Sequence, residues 1–158
     1  MQNLRAVLEK SRIAPAHIAA VRLTGQMHGL TLLDTHGDLL CPCILWNDQR
    51  TAAQCAAITQ RVGPARVLQL TGNPVPTGLA APMLLWVRGN EPNLYRRVAD
   101  LLLPKDYTRY KLTGGFFSDM SGSFGTSFQG RRKYAVNELA GYADHKKKVT
   151  HRLIVLVW

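Results

Sequence analysis

Ile18-Ala19-Ala20-Val21-Arg22-Leu23-Thr24-Gly25-Gln26-Met27-His28-Gly29-Leu30-Thr31-Leu32-Leu33, followed after Asp34-Thr35-His36-Gly37-Asp38 by Leu39-Leu40-Cys41-Pro42-Cys43-Ile44-Leu45-Trp46-Asn47-Asp48-Gln49-Arg50-Thr51, carries the strongest pattern in the chain. Ile18 to Leu23 is a short apolar stretch that reads as a strand. Leu30 to Leu33 and Leu39 to Leu45 are two further apolar runs. The turn formers between them, with a glycine available for a positive φ, predict an antiparallel hairpin. Asn47 or Asp48 offers a short side-chain acceptor to cap the next helix, in which Ala52, Ala53, Ala56, Ala57 and Ile58 form the predicted buried stripe.

Working outward, Leu4, Val7 and Leu8 lie at helical spacing, and Pro15 ends that helix before the first strand. Gly63-Pro64 breaks the helix after Thr51, a short helix follows through Val67 and Leu70, and Thr71 to Gly78 is a turn-rich loop. Ala81 to Val87 and Glu91 to Arg97 read as helices and Val98 to Leu103 as a strand. Lys105 to Leu112 is a last helix stopped by Gly114-Gly115. This order is α/β, with a mixed sheet, an antiparallel hairpin and flanking helices.

Composition narrows the class. The chain has 158 residues, 46% apolar and 19% charged, which suits one folded domain and excludes disorder by composition, collagen-like repeats and a disulfide scaffold. Its net charge is +10, and half of that excess falls in residues 129–158, which include Arg131-Arg132-Lys133 and Lys146-Lys147-Lys148 and end in Leu153-Ile154-Val155-Leu156-Val157-Trp158. A basic run can contact phosphates without reading a base, but no nucleic-acid motif or interleaved aromatics accompany it, so a solvated tail is the expectation and nucleic acid is not the expected partner. Three cysteines form an odd set behind an N-terminus with no apolar signal core, which predicts a reducing, cytoplasmic setting. No apolar stretch approaches the roughly 20 residues of a spanning helix, so no membrane is expected.

Two clusters could carry chemistry. Gln26, Met27 and His28 sit between glycines at a strand end, where backbone can turn sharply and donors and acceptors can meet the hydroxyls of a polyol or sugar. A hairpin holding a packed histidine would leave the same pattern. Trp46, Asn47 and Asp48 lie at a strand-to-helix junction, the end of an α/β sheet where ligands gather; a Trp face can stack on a sugar ring while the amide and carboxylate fix hydroxyls. Helix capping with an Asp48–Arg50 surface pair is the competing reading. Cys41-Pro42-Cys43 is half of a metal site without a second pair of ligands, so no metal is expected. A phosphate-cradling Gly-x-x-x-x-Gly-Lys loop and a nucleophile elbow are both missing from the sequence.

Taken together and in order, Thr-Gly-Gln-Met-His-Gly-Leu at 24–30, Ile-Leu-Trp-Asn-Asp-Gln-Arg-Thr at 44–51, Thr-Gly-Asn-Pro at 71–74, Ala-Pro-x-Leu-Leu-Trp-Val-Arg at 81–88, Leu-Leu-Pro-Lys-Asp-Tyr at 102–107, Lys-Leu-Thr-Gly at 111–114 and Ser-Asp-Met-Ser at 118–121 resemble the bacterial xylulokinase branch of the FGGY carbohydrate kinases. The resemblance runs to about residue 127. It implies part of the first of two ribonuclease-H-like domains of the actin/hexokinase-like ATPase class. The implied activity is transfer of the γ-phosphoryl of ATP, with Mg2+, to the 5-hydroxyl of D-xylulose or a related pentulose. Met27 and His28 match the family's sugar-contacting Met-His, with Gln26 beside them, and Trp46, Asn47 and Asp48 match a second family motif.

The departures set further expectations. No Asp-x-Gly-Thr phosphate loop occurs, and the family's general-base Asp and adenine-binding domain match nothing in this chain, so no catalytic residue and no nucleotide-binding residue is assigned. Neither ATP nor Mg2+ is expected to bind tightly, and no turnover is expected from this chain alone. Leu79, Ala80 and Met83 stand where the family has Phe, Thr and Lys. Residues 1–128 read as a partial N-terminal kinase domain and 129–158 as a divergent basic tail of frame-shifted or truncated origin. The alternatives are a pentulose-binding module without chemistry and, resting only on the tail, a basic nucleic-acid-associated protein. Unpaired sheet edges and the terminal apolar run predict self-association.

Overall fold

A computed structural model describes residues 2–118. The expected basic tail, the apolar run 153–158 and all but the first residue of Ser118-Asp119-Met120-Ser121 lie outside the described residues. The elements in chain order are helix α1 (Gln2–Ser11), a single 3-10 turn at Pro15–His17, strand β1 (Thr31–Leu33), helices α2 (Ala52–Val62), α3 (Pro64–Thr71), α4 (Ala80–Asn90) and α5 (Pro92–Arg97), strand β2 (Asp100–Leu102) and helix α6 (Pro104–Thr113).

β1 is the centre of the molecule. Thr31, Leu32 and Leu33 are all buried, as a short apolar run with no polar alternation requires, because such a strand must be covered on both faces. On one side it pairs antiparallel with β2, Thr31 opposite Leu102 and Leu33 opposite Asp100. On the other side the predicted hairpin forms, but as two isolated bridges, Leu30 with Ile44 and Leu33 with Leu39, rather than a continuous ladder. Pro42, which has no N–H to donate, falls inside the returning arm. The turn itself is built on Asp34, whose Oδ1 accepts the backbone N–H groups of His36 at 2.9 Å and Asp38 at 3.0 Å.

Helix α4 closes the core over this sheet. Its sequence Ala80-Ala81-Pro82-Met83-Leu84 is buried throughout, with Val87 one turn further on. Pro82 falls in the first turn, where an N–H would have no intrahelical acceptor. Leu30, Leu32, Ile44, Ala80, Met83, Leu84, Val87, Tyr95, Val98 and Leu101 form one cluster, and Cys55, Val67 and Val75 form a smaller one beneath Ile58 and Val62.

Two local expectations are corrected. Ile18 to Leu23 is not a strand: Ile18 is 40% and Val21 58% exposed, and no ladder forms along it among the described residues. Strand propensity needs a neighbour to become a strand, and the sequence run does not supply one. The buried face of α2 is Cys55 with Ile58 and Val62 half covered, whereas Ala52, Ala53, Ala56 and Ala57 face solvent. Thr51, fully buried, is its N-cap residue, and neither Asn47 nor Asp48 caps it. The alanine spacing fits a stripe, but larger apolar side chains bury more surface per position and decide which face turns inward.

Candidate sugar-binding site

The bridge between Leu30 and Ile44 positions both clusters. Leu30 N–H donates to Ile44 O at 2.8 Å and Ile44 N–H donates back to Leu30 O at 3.1 Å. In an antiparallel pair, equal steps outward from a bridge stay opposite each other. Residues 26–29 therefore leave the core at the same end of β1 as residues 45–48. Met27 is 57% and Trp46 51% exposed, so each holds an apolar side chain in solvent at that end.

His28 lies half-buried on left-handed backbone with φ 65°, an uncommon state for a residue bearing a Cβ. The turn is tightened by Gly29 N–H donating to Met27 O at 2.8 Å. His28 Nδ1 is buried and has no hydrogen-bond partner among the described residues. A buried ring nitrogen without a partner is an exception among native polar groups, most of which are hydrogen-bonded.

On the second segment, Asp48 is held by Arg50. Its Oδ1 accepts the Arg50 backbone N–H at 3.0 Å and Nε–H at 2.9 Å, while Oδ2 lies 2.7 Å from Arg50 Nη2. These hydrogen bonds, above all the one from the Arg50 side chain, hold the Asp48 carboxyl below its ordinary range. The guanidinium also lies 4.6 Å from the centre of the Trp86 ring. The surface pair expected as the competing reading is thus formed.

Asn47 and Asp48 line a cleft of about 580 Å³ together with Cys41, Cys43, Arg50 and Trp86. Gln26, Met27, His28 and Trp46 do not line it. The six predicted residues therefore divide between the rim at the end of β1 and this neighbouring cleft. Burial raises the Cys41 thiol, with Cys43 and Glu91 adding to it; burial raises Cys43 as well, partly offset by the hydroxyl of Thr31 donating at 3.5 Å.

One contributor is absent from the sequence reading. The end of the 71–78 loop docks on the Trp46 segment: Thr77 Oγ1 donates to Gln49 Oε1, and any Cβ at Gly78, whose φ is 84°, would collide with the Trp46 carbonyl. Thr77-Gly78 thereby fixes the backbone that carries Trp46. The only sequence signal for this was a glycine after a hydroxyl residue in a loop, which names a turn but not its contact.

The described residues do not fit a magnesium ion. No group of three or more His, Cys, Asp or Glu side chains among them could hold a metal. Asp34 is committed to its turn, Asp48 to Arg50, and Asp106 to Lys105 and Ser118. No helix among the described residues is long and apolar enough to cross a membrane.

Comparison with known proteins shows the family of the chain. The pattern of the FGGY family of carbohydrate kinases, N-terminal domain, matches residues 1–129. Xylulose kinase of Escherichia coli (strain K12) is 49% identical over 109 residues, covering 69% of this chain and 22% of the relative. A crystal structure described as a xyloylose kinase from Brucella ovis superposes with a TM-score of 0.70 at 46% identity, covering 81% of this chain and 25% of that one. Gluconate kinase from Lactobacillus acidophilus, at 23% identity, shares the fold with a TM-score of 0.80 over 94% of this chain and 31% of that one. The chain thus spans about a quarter of the length of such relatives.

Proposed function

The chain belongs to the FGGY family of carbohydrate kinases, and from that premise we propose that it carries part of the sugar-binding side of a xylulokinase-like phosphotransferase. The observation that supports this most is the joint placement of Met27-His28 and Trp46 at one end of β1, with Met27 and Trp46 exposed and the His28 Nδ1 buried without a hydrogen-bond partner among the described residues. A sugar presents the complement: ring and chain carbons for the apolar faces and hydroxyls for Gln26, His28, Asn47 and Asp48. The ligand class is D-xylulose or a related pentulose, and the setting is the cytoplasm.

Xylulokinase chemistry moves the γ-phosphoryl of ATP to the sugar 5-hydroxyl with Mg2+. No step of that transfer is assigned to the residues described, which bind and orient the acceptor. Positioning of donor, metal and acceptor in line is what phosphoryl transfer requires, and no residue assigned here positions the donor. Residues 129–158 are read as a tail outside the kinase pattern, and self-association through uncovered apolar surface accompanies this reading.

Calorimetric titration of the chain with D-xylulose, run beside an ATP turnover assay, tests the proposal. Heat on D-xylulose that disappears in His28→Ala, without turnover, is the expected result. A silent titration with folded protein would overturn the sugar reading. Turnover by the chain alone would overturn the acceptor-only assignment.

A further inference from the structure

The Leu102 to Tyr107 motif has no part in the sugar reading, yet it lies directly beneath it. We propose that the first turn of α6 is the seat that sets the position of Gln26-Met27-His28, with Pro104 and Lys105 as the contact surface and Asp106 as a positioning residue acting through Lys105. The inference rests on the reading that Met27 and His28 face the sugar.

Both ends of the segment touch this seat. A Cβ at Gly25 would lie 2.9 Å from Lys105 Cβ, and one at Gly29 would lie 2.7 Å from Pro104 Cγ. Those separations are closer than side chains tolerate, so glycine at each end lets the backbone rest on the helix itself. Between the two contacts the chain bridges three residues and places His28 in its left-handed state. A small displacement of the helix end would move both supports together.

Asp106 holds that helix end from within. It is only 3% exposed, unusual for a carboxylate, and its partners are Lys105 Nζ at 2.8 Å, Ser118 Oγ at 2.6 Å and, more distantly, Arg109 Nη2 at 3.9 Å. A buried carboxylate is tolerated only when its oxygens are satisfied this way. Its pair with Lys105 Nζ holds the rest of that side chain along the first turn, beyond the Cβ that Gly25 faces, and through Ser118 it ties α6 to the start of the Ser118-Asp119 motif. Residues 25 and 29 thus rest on Pro104 and Lys105, while residue 118 meets the same helix turn at the Asp106 carboxylate.

The test uses the whole 158-residue chain. Backbone amide signals of residues 25–29, D-xylulose affinity and thermal midpoint are measured for Gly25→Ala, Lys105→Gly, their double variant, Asp106→Asn and Ser118→Ala. Gly25→Ala should shift the amides of 26–29 and weaken D-xylulose about tenfold. Removing the opposing Cβ should rescue it, leaving the double variant within about twofold of Lys105→Gly. Asp106→Asn should move the same amides, whereas Ser118→Ala, which loses a hydrogen bond to Asp106 without touching Lys105, should lower the midpoint and leave 26–28 in place. Additive losses in the double variant, or identical patterns for Asp106→Asn and Ser118→Ala, would overturn the seat. If the unmodified chain takes no D-xylulose the sugar reading fails instead, and the amide signals alone decide the seat.

Discussion

Protonating Asp34 or Asp48 removes an anchor from a loop. Each carboxyl is held below its usual range by hydrogen bonds, Asp34 chiefly by the Asp38 N–H and Asp48 chiefly by the Arg50 side chain. A folded value below the unfolded one gives stability that is present above the ordinary carboxylate range and lost as pH falls through the folded value. Both groups are solvent-accessible, so the effect on stability is small, but carbon-detected titration should place each below 3.8, and a value at or above that would contradict the hydrogen bonding. The thiols behave oppositely. Burial raises Cys41, Cys43 and Cys55 above the ordinary 9.0, so their neutral forms favour the fold and this contribution fades as pH rises past that value. At pH 8, alkylation by iodoacetamide should be slower in the native chain than in urea; equal rates would refute it. At this scale the sequence showed the Asp48–Arg50 pair, because two residues of spacing brings a carboxylate and guanidinium within reach. The left-handed His28 was invisible, since nothing in a histidine's identity announces a positive φ.

The helices and the sheet were unequally legible for a physical reason. Helices α3, α5 and α6 begin at Pro64, Pro92 and Pro104, and α6 ends at Gly114, where the punctuation is local and the residue itself enforces it. The failed strand at 18–23 and the misjudged face of α2 depended on neighbours distant in sequence. Substitutions should show the same division. Met83, fully buried in α4, should cost about 3 kcal/mol as Met83→Ala, read as a fall of roughly 10 °C or more in melting midpoint. Ala56→Gln on α2 should stay within about 0.5 kcal/mol, because that alanine faces solvent. A large loss there would restore the alanine stripe as the buried face. For the candidate site, the motif residues were legible but their grouping was not: Thr77 and Gly78 reach Gln49 and Trp46 only once the 71–78 loop folds back.

Across the whole molecule, apolar side chains are left uncovered at one end of the chain. Val7, Ile13, Ile18 and Val21 are all exposed. Light scattering should show mass rising with concentration, and Ile18→Lys with Val21→Lys should return the chain towards monomer; a monodisperse monomer of the unmodified chain would refute self-association. The central pairing has a different consequence, one of time. Thr31 finds Leu102 across about seventy intervening residues, so β1 cannot be completed by anything near it in the chain. During synthesis at roughly 5–20 residues per second, the strand that anchors the sugar segment waits several seconds or more for its partner to emerge. Throughout that interval Leu30, Leu32 and Leu33, fully buried in the finished fold, lack the cover that β2 supplies.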